Sequence, residues 1–170
     1  MKQELIVIGG GEHAGVIVDT AMALPETWNV IGFVDQMPCE ETVLRFKIKK
    51  LGSDEDLDTI LNNHPKAKLV IGIGDVSRRN KIISSLSFSE DRWVNLIHPS
   101  AIIASNVKLS YGTVIMSRAI IQTGSVVSEH AIVNNGAVIE HNVYIGKNTH
   151  IASGAVIGGG CNIGNNCTIG

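Results

Sequence analysis

Val133-Asn134-Asn135-Gly136-Ala137-Val138-Ile139-Glu140-His141-Asn142-Val143-Tyr144-Ile145 places an aliphatic residue at every sixth position: Val133, Ile139, Ile145. Followed outward, the series runs from Ile97 to Ile169, and all 13 members are Ile, Leu or Val. Two places later, none of the 12 residues from Pro99 to Asn165 is aliphatic. The fourth place is Gly or Asn in 9 of 12 hexads, and the fifth is always Ala, Val, Thr, Ser or Cys. Gly and Asn tolerate positive φ, so the fourth place is a corner. The first place is a buried aliphatic, and the fifth is small enough to pack beside it. A period of six drifts off any face of a 3.6-residue helix, which excludes an α-helix. Strands that turn every six residues bury nothing alone, so they must stack as coils about 4.8 Å apart. Each buried first-place side chain contributes roughly 1.5–3 kcal/mol.

The chain outside this repeat is of a different kind. Residues 1–96 hold 25 of the 30 charged side chains; residues 97–170 hold 5: Lys108, Arg118, Glu129, Glu140 and Lys147. Two regimes meet near Leu96-Ile97-His98-Pro99, which predicts domains at 1–96 and 97–170. With 170 residues, 44% hydrophobic and 18% charged, the chain can build a core and is not of disordered composition. A net charge of −2 supplies no basic field for nucleic acid or an anionic membrane. No apolar run approaches the ~20 residues of a membrane span, and no signal-peptide pattern opens the chain. The expected location is therefore the cytoplasm. The three cysteines do not form a disulfide framework. Cys161 and Cys167, six residues apart, face different sides of a coil, so neither a disulfide nor a zinc site is expected, and Cys39 lies in a polar stretch.

The first half alternates strand and helix patterns, the mark of a parallel α/β sheet. Strands are predicted at Leu5–Ile8, Val30–Val34 and Leu69–Ile73, and helices at Val16–Leu24, Asp54–Asn62 and Arg78–Leu86. The acidic Asp54-Glu55-Asp56 suits the first turn of a helix. Gly9, Gly11 and Ala14 satisfy G-x-G-x-x-G/A between strand and helix, where backbone N–H groups can meet phosphate oxygens. Asp35 ends the next strand, where a ribose hydroxyl could be read. The plain alternative is a tight turn seating a helix on a strand. Fewer than 100 residues make about one mononucleotide half of a doubly wound fold, which disfavours a dinucleotide.

Both halves together resemble the bacterial sialic acid O-acetyltransferase and UDP-4-amino-sugar N-acetyltransferase family of hexapeptide-repeat acyltransferases. The markers are Ile8-Gly9-Gly10-Gly11-Glu12-His13-Ala14, Gly32-Phe33-Val34-Asp35, Ile71-Gly72-Ile73-Gly74-Asp75, Asn95-Leu96-Ile97-His98-Pro99-Ser100, Val133 to His141, and Asn148-Thr149-His150-Ile151-Ala152. The resemblance implies an N-terminal Rossmann-like α/β domain and a left-handed parallel β-helix with three hexads per coil. The repeat would then be about four coils, lacking its C-terminal coils. The implied activity is transfer of an acetyl group from acetyl-CoA to an amino group of a nucleotide-linked sugar, in surface polysaccharide or glycan synthesis. The implied assembly is a homotrimer with sites between neighbouring β-helices. Gly11, Glu12, His13, Asp35, Gln36 and Gly74 match positions that hold the nucleotide sugar. His141 matches the general base, and His150 and Gly159 match positions contacting acetyl-CoA. Asn142 stands where many relatives carry a carboxylate that makes the imidazole more basic.

The chemistry asks little of the protein. A thioester is already activated, a histidine can take the proton of an attacking amine, and a glycine N–H can stabilise the oxyanion. No metal is needed. His141 occupies the third place, outside the aliphatic core. Asn134 is open between lining the acceptor site and simple stacking, with stacking favoured. His64, His98 and His130 are given no part in the chemistry. Two further readings stand beside the leading one: O-acetylation of sialic acid, and a non-catalytic trimeric nucleotide-binding scaffold or sensor.

Overall fold

A computed structural model describes residues 2–37 and 46–170; Cys39 lies outside the described residues. Contacts divide the chain into two compact units, Met1–Gly74 with Arg92–Val94, and Asp75–Asp91 with Asn95–Gly170.

The first unit is a parallel sheet in the order β3-β2-β1-β4, with β1 Gln3–Ile8, β2 Trp28–Val34, β3 Lys50–Gly52 and β4 Lys68–Ile71. Leu5, Ile6, Val7 and Ile8 are fully buried, as a central parallel strand covered on both faces requires. Helix α1 spans Glu12–Met22 and buries Ala14, Ile17, Val18 and Ala21. It starts four residues before the apolar pattern does, because it springs directly from the glycine turn. It ends before Leu24, since Pro25 disfavours a helical conformation in the residue ahead of it. Helix α2, Leu57–Asn63, follows a 3-10 turn at Asp54–Asp56. The Asp56 carboxylate accepts the Ser53 N–H at 2.8 Å and the Ser53 hydroxyl at 2.9 Å, closing a capping box.

The second unit opens with helix α3, Val76–Ser85. Asp75 caps it, accepting the Arg78 N–H at 2.7 Å, so the helix begins two residues ahead of the expected Arg78. The repeat then forms thirteen two-residue strands at six-residue steps, from Leu96–Ile97 to Thr168–Ile169. They stack into three parallel sheets along a prism, residues 18 apart being in register. Sheet I holds Leu96–Ile97, Val114–Ile115, Ile132–Val133, His150–Ile151 and Thr168–Ile169; sheet II runs from Ile102–Ile103 to Val156–Ile157; sheet III runs from Lys108–Leu109 to Asn162–Ile163. The first-place residues Ile115, Ile121, Val127, Val133, Ile139, Ile145 and Ile151 line the interior with Ala119, Ala131 and Ala137. Corner residues take positive φ, among them Asn142 at 56° and Asn148 at 54°.

The division by contacts does not follow the step in charge density at residues 96–97. Segment 75–91 groups with the prism, and side-chain hydrogen bonds explain why. Arg79, 1% exposed, donates from Nη2 to the Asn148 carbonyl at 3.0 Å. Asn148 donates from Nδ2 to the Val76 carbonyl at 3.0 Å and to Asn166 Oδ1 at 2.8 Å. Burial lowers the Arg79 guanidinium to about 10, with the nearby Asp75 charge opposing the shift, so it stays charged at neutral pH.

Candidate functional site

In the first unit the strand order reverses between β1 and β4, and the loops leaving those strands, Gly9–Gly11 and Gly72–Gly74, open where a doubly wound sheet takes its ligand. Gly9 sits at φ 113°, which a side chain rarely adopts. The Asp35 carboxylate accepts the Gly10 N–H at 2.6 Å through Oδ2 and the Met37 N–H at 2.8 Å through Oδ1. Asp35 therefore fixes the glycine turn, with its second lone pairs left for a ligand. Gly74 lies against the His13 ring: a Cβ there would come 3.2 Å from His13 Cγ. Glu12 is exposed at the start of α1, and Gln36 Nε2 reaches Glu55 Oε1 at 3.5 Å. Of the six residues read as the nucleotide-sugar site, Asp35, His13 and Gly74 thus meet around the glycine turn that includes Gly11, while Glu12 and Gln36 lie on its exposed rim.

In the second unit His141 projects from the corner between sheets II and III. Its ring stands against the next coil, where a Cβ on Gly159 would lie 2.7 Å from Nε2, and its carbonyl accepts the Gly160 N–H at 2.9 Å. His141 Nδ1 is 3.1 Å from Asn142 Nδ2. An amide NH2 only donates, so this orientation puts the imidazole proton on Nε2. A base acting through Nε2 needs its proton on Nδ1, and Asn142 serves that form when its amide presents Oδ1 instead. Glu140 is joined to its neighbours through its backbone: its carbonyl accepts the Ser125 hydroxyl at 2.8 Å and its N–H donates to the Ile157 carbonyl at 3.0 Å.

His150 lies on sheet I. Its Nε2 is 3.0 Å from Asn134 Nδ2, and Asn134 Oδ1 accepts the Asn135 N–H at 2.7 Å. Asn134, left open from the sequence between lining a site and stacking, is a side-chain partner of His150. The structure does not bring this pair to His141 within one chain, because a corner of a prism and the face opposite point away from each other.

His130, given no part in the chemistry, has a place in the packing that the sequence did not announce. It is 4% exposed, at the corner between sheets III and I, and packs edge-on to Tyr111 with ring centroids 5.3 Å apart. Burial, with the charges of Lys147 and Arg79 adding to it, lowers its pKa to about 4. The other two histidines set aside have side-chain or backbone partners: His64 Nδ1 is 3.1 Å from Glu4 Oε2, and His98 Nδ1 accepts the Ser100 N–H at 3.1 Å. Among the described residues, no three His, Cys, Asp or Glu side chains gather as a metal site, and no helix is long and apolar enough to cross a membrane. Cys161 and Cys167 are free thiols.

A glycine-turn α/β unit joined to a prism of six-residue repeats, with an imidazole at a corner, defines a class. Residues 4–86 match the PglD N-terminal domain and residues 124–159 match bacterial transferase hexapeptide repeats, so the chain is similar, part by part, to the hexapeptide-repeat acyltransferases that carry such a domain. Within that class it is similar to UDP-N-acetylbacillosamine N-acetyltransferase of Bacillus subtilis (strain 168), 28% identical over 115 residues that cover 68% of this chain. The chain spans about half the length of that relative, 52%. Among solved structures it resembles the acetyltransferase domain of PglB from Neisseria gonorrhoeae FA1090 in complex with acetyl coenzyme A (TM-score 0.78, 24% identity, 99% of this chain and 88% of that one). It also resembles a mutant of perosamine N-acetyltransferase from Caulobacter crescentus in complex with CoA and GDP-perosamine (TM-score 0.67, 29% identity, 95% and 77%). The shared fold is an α/β domain followed by a left-handed β-helix.

Proposed function

We propose that this protein transfers the acetyl group of acetyl-CoA to the amino group of a nucleotide-linked sugar for surface-glycan synthesis in the cytoplasm, with His141 as general base. The observation that carries the reading is the exposed imidazole whose Nε2 stands over Gly159 on the repeat. Residues 1–96 hold the acceptor through Gly11, Glu12, His13, Asp35, Gln36 and Gly74, and residues 97–170 carry acyl transfer. The similarity to proteins named as amino-sugar N-acetyltransferases supports the substrate class.

The amine nitrogen attacks the thioester carbonyl carbon, and His141 Nε2 takes its proton as the C–N bond forms. The carbonyl oxygen becomes anionic within reach of the Gly159 N–H. The C–S bond then breaks, and the leaving thiolate recovers the proton from the imidazolium. Asn142 orients the ring through Oδ1 but offers the imidazolium no charge.

His150 and Asn134, on the face opposite His141, contact acetyl-CoA only where a second copy presents them to that corner. A homotrimer supplies this arrangement. The outward ladder on sheet II supports it: Ile102 is 63% and Val156 69% exposed, with Ile120 and Val138 half-buried between them. An aliphatic stripe of this kind suits a face that packs against another subunit.

The test is acetyl transfer to a panel of nucleotide-linked amino sugars, following CoA release, in wild type and His141→Ala. The expected loss in kcat is about 10²–10⁴-fold; undiminished turnover in the variant would refute the assigned base.

A further inference from the structure

Ten of the twelve corner residues have positive φ, and eight of those ten are Gly or Asn. The two exceptions are His130 and Arg118. The packing of His130 accounts for it. Arg118, at φ 59°, is exposed and no described residue pairs with its guanidinium. A long side chain held in a conformation that Gly adopts freely is strained, and strain of this kind collects at functional positions. Arg118 is also one of 5 charged side chains in residues 97–170.

Its surroundings explain what it is for. Arg118 lines a 570 Å³ cleft at the corner between sheets I and II, with Ser100, Ser117 and Asn135 on the polar side, Ile102 and Ile120 on the other, and no carboxylate in the wall. Ser117 donates to Asn135 Oδ1 at 2.9 Å, which turns the Asn135 NH2 outward as a second donor. Ser100 Oγ accepts the Arg118 N–H at 3.1 Å and fixes the turn from which the arginine leaves. A lone guanidinium beside an amide donor, without a competing acid, is a receptor for a phosphate ester.

We infer that Arg118 and Asn135 form a phosphate-binding subsite for one of the two phosphate-bearing substrates. The inference rests on the proposed acetyl transfer. It also fits the proposed assembly: rotation about an axis parallel to the prism, with copies meeting at sheet II, sets the His141 corner of one copy beside the Arg118 corner of the next.

The experiment is calorimetry on the full chain with CoA, pantetheine, UDP and GDP, comparing wild type, Arg118→Gly and Arg118→Lys. Glycine suits the corner, so Arg118→Gly should melt no lower than wild type. Its Kd should rise at least about tenfold for CoA or for a nucleoside diphosphate, and not for pantetheine, which lacks a phosphate. Arg118→Lys should recover part of the loss. A rise for CoA alone assigns the subsite to the acetyl donor, and a rise for UDP or GDP alone assigns it to the acceptor. Unchanged affinities in Arg118→Gly, against a wild type that binds these ligands, would overturn the subsite and leave the acetyltransferase reading intact. A wild type that binds none of them would sink both.

Discussion

Acidification should weaken this protein through His130, and the size of the effect follows from its burial. In the unfolded chain the ring takes up a proton near its ordinary value of 6.5; in the fold it stays neutral until about 4. Between those values the unfolded state binds the extra proton, so stability falls as pH falls from 6.5 to 4 and this contribution is fully present above 6.5. The gap corresponds to about 3 kcal/mol, a substantial part of the 5–15 kcal/mol typical of a folded domain. Carboxylates titrate in the same range, so the comparison must isolate the histidine. His130→Asn does so: asparagine suits a corner at φ 56°, and it does not titrate. The variant loses the edge contact with Tyr111, worth about 0.5–1.5 kcal/mol, at every pH. Urea unfolding of both proteins at pH 7 and pH 4 should show wild type losing about 3 kcal/mol more than the variant. Equal losses would refute the claim that a neutral buried ring is titrated on unfolding.

Two predictions concern the His141 corner. Gly159→Ala adds a Cβ where it would sit 2.7 Å from His141 Nε2, so the exposed ring must move while the backbone needs no change. We expect kcat down by about 10–100-fold with the melting temperature nearly unaltered, and turnover equal to wild type would show that Nε2 at Gly159 is not the reacting position. Asn142→Asp supplies the charge that the amide lacks. The acidic limb of kcat/KM against pH should then move to higher pH, because a carboxylate beside Nδ1 favours the imidazolium, and a superimposable profile would rule out contact with the base.

The repeat was legible because burial was written at a fixed period: Ile97 to Ile169 mark the interior without reference to any other part of the chain. The glycine turn was legible for the same reason, its special φ being a property of Gly9 itself. What stayed hidden depended on partners distant in sequence. Arg79 reads as one more charge on an amphipathic helix; only its bond to Asn148, 69 residues on, makes it a buried tie. The burial of His130 rests on Tyr111, a residue of the preceding coil whose ring meets it edge-on. The hydrogen bond between Asn134 and His150 joins two coils, so no single hexad announces it. One signal was available and unused. Ser100, Arg118 and His130 are the three corners that are neither Gly nor Asn, and a departure from a strict pattern shows where another constraint has overridden it.

The eighteen-residue register carries a consequence for how such a chain can change length. Inserting a single hexad would keep every aliphatic pointing inward, so the molecule would still fold. All side chains after the insertion would nonetheless rotate by one third of a revolution, and the imidazole would leave its edge for the neighbouring one. Only whole revolutions conserve azimuth, sliding later groups along the axis by one rung of about 4.8 Å. Lineages of this architecture are thus free to lengthen or shorten beyond the reactive rung, and are held to multiples of eighteen wherever two chemically coupled groups lie on either side of the change.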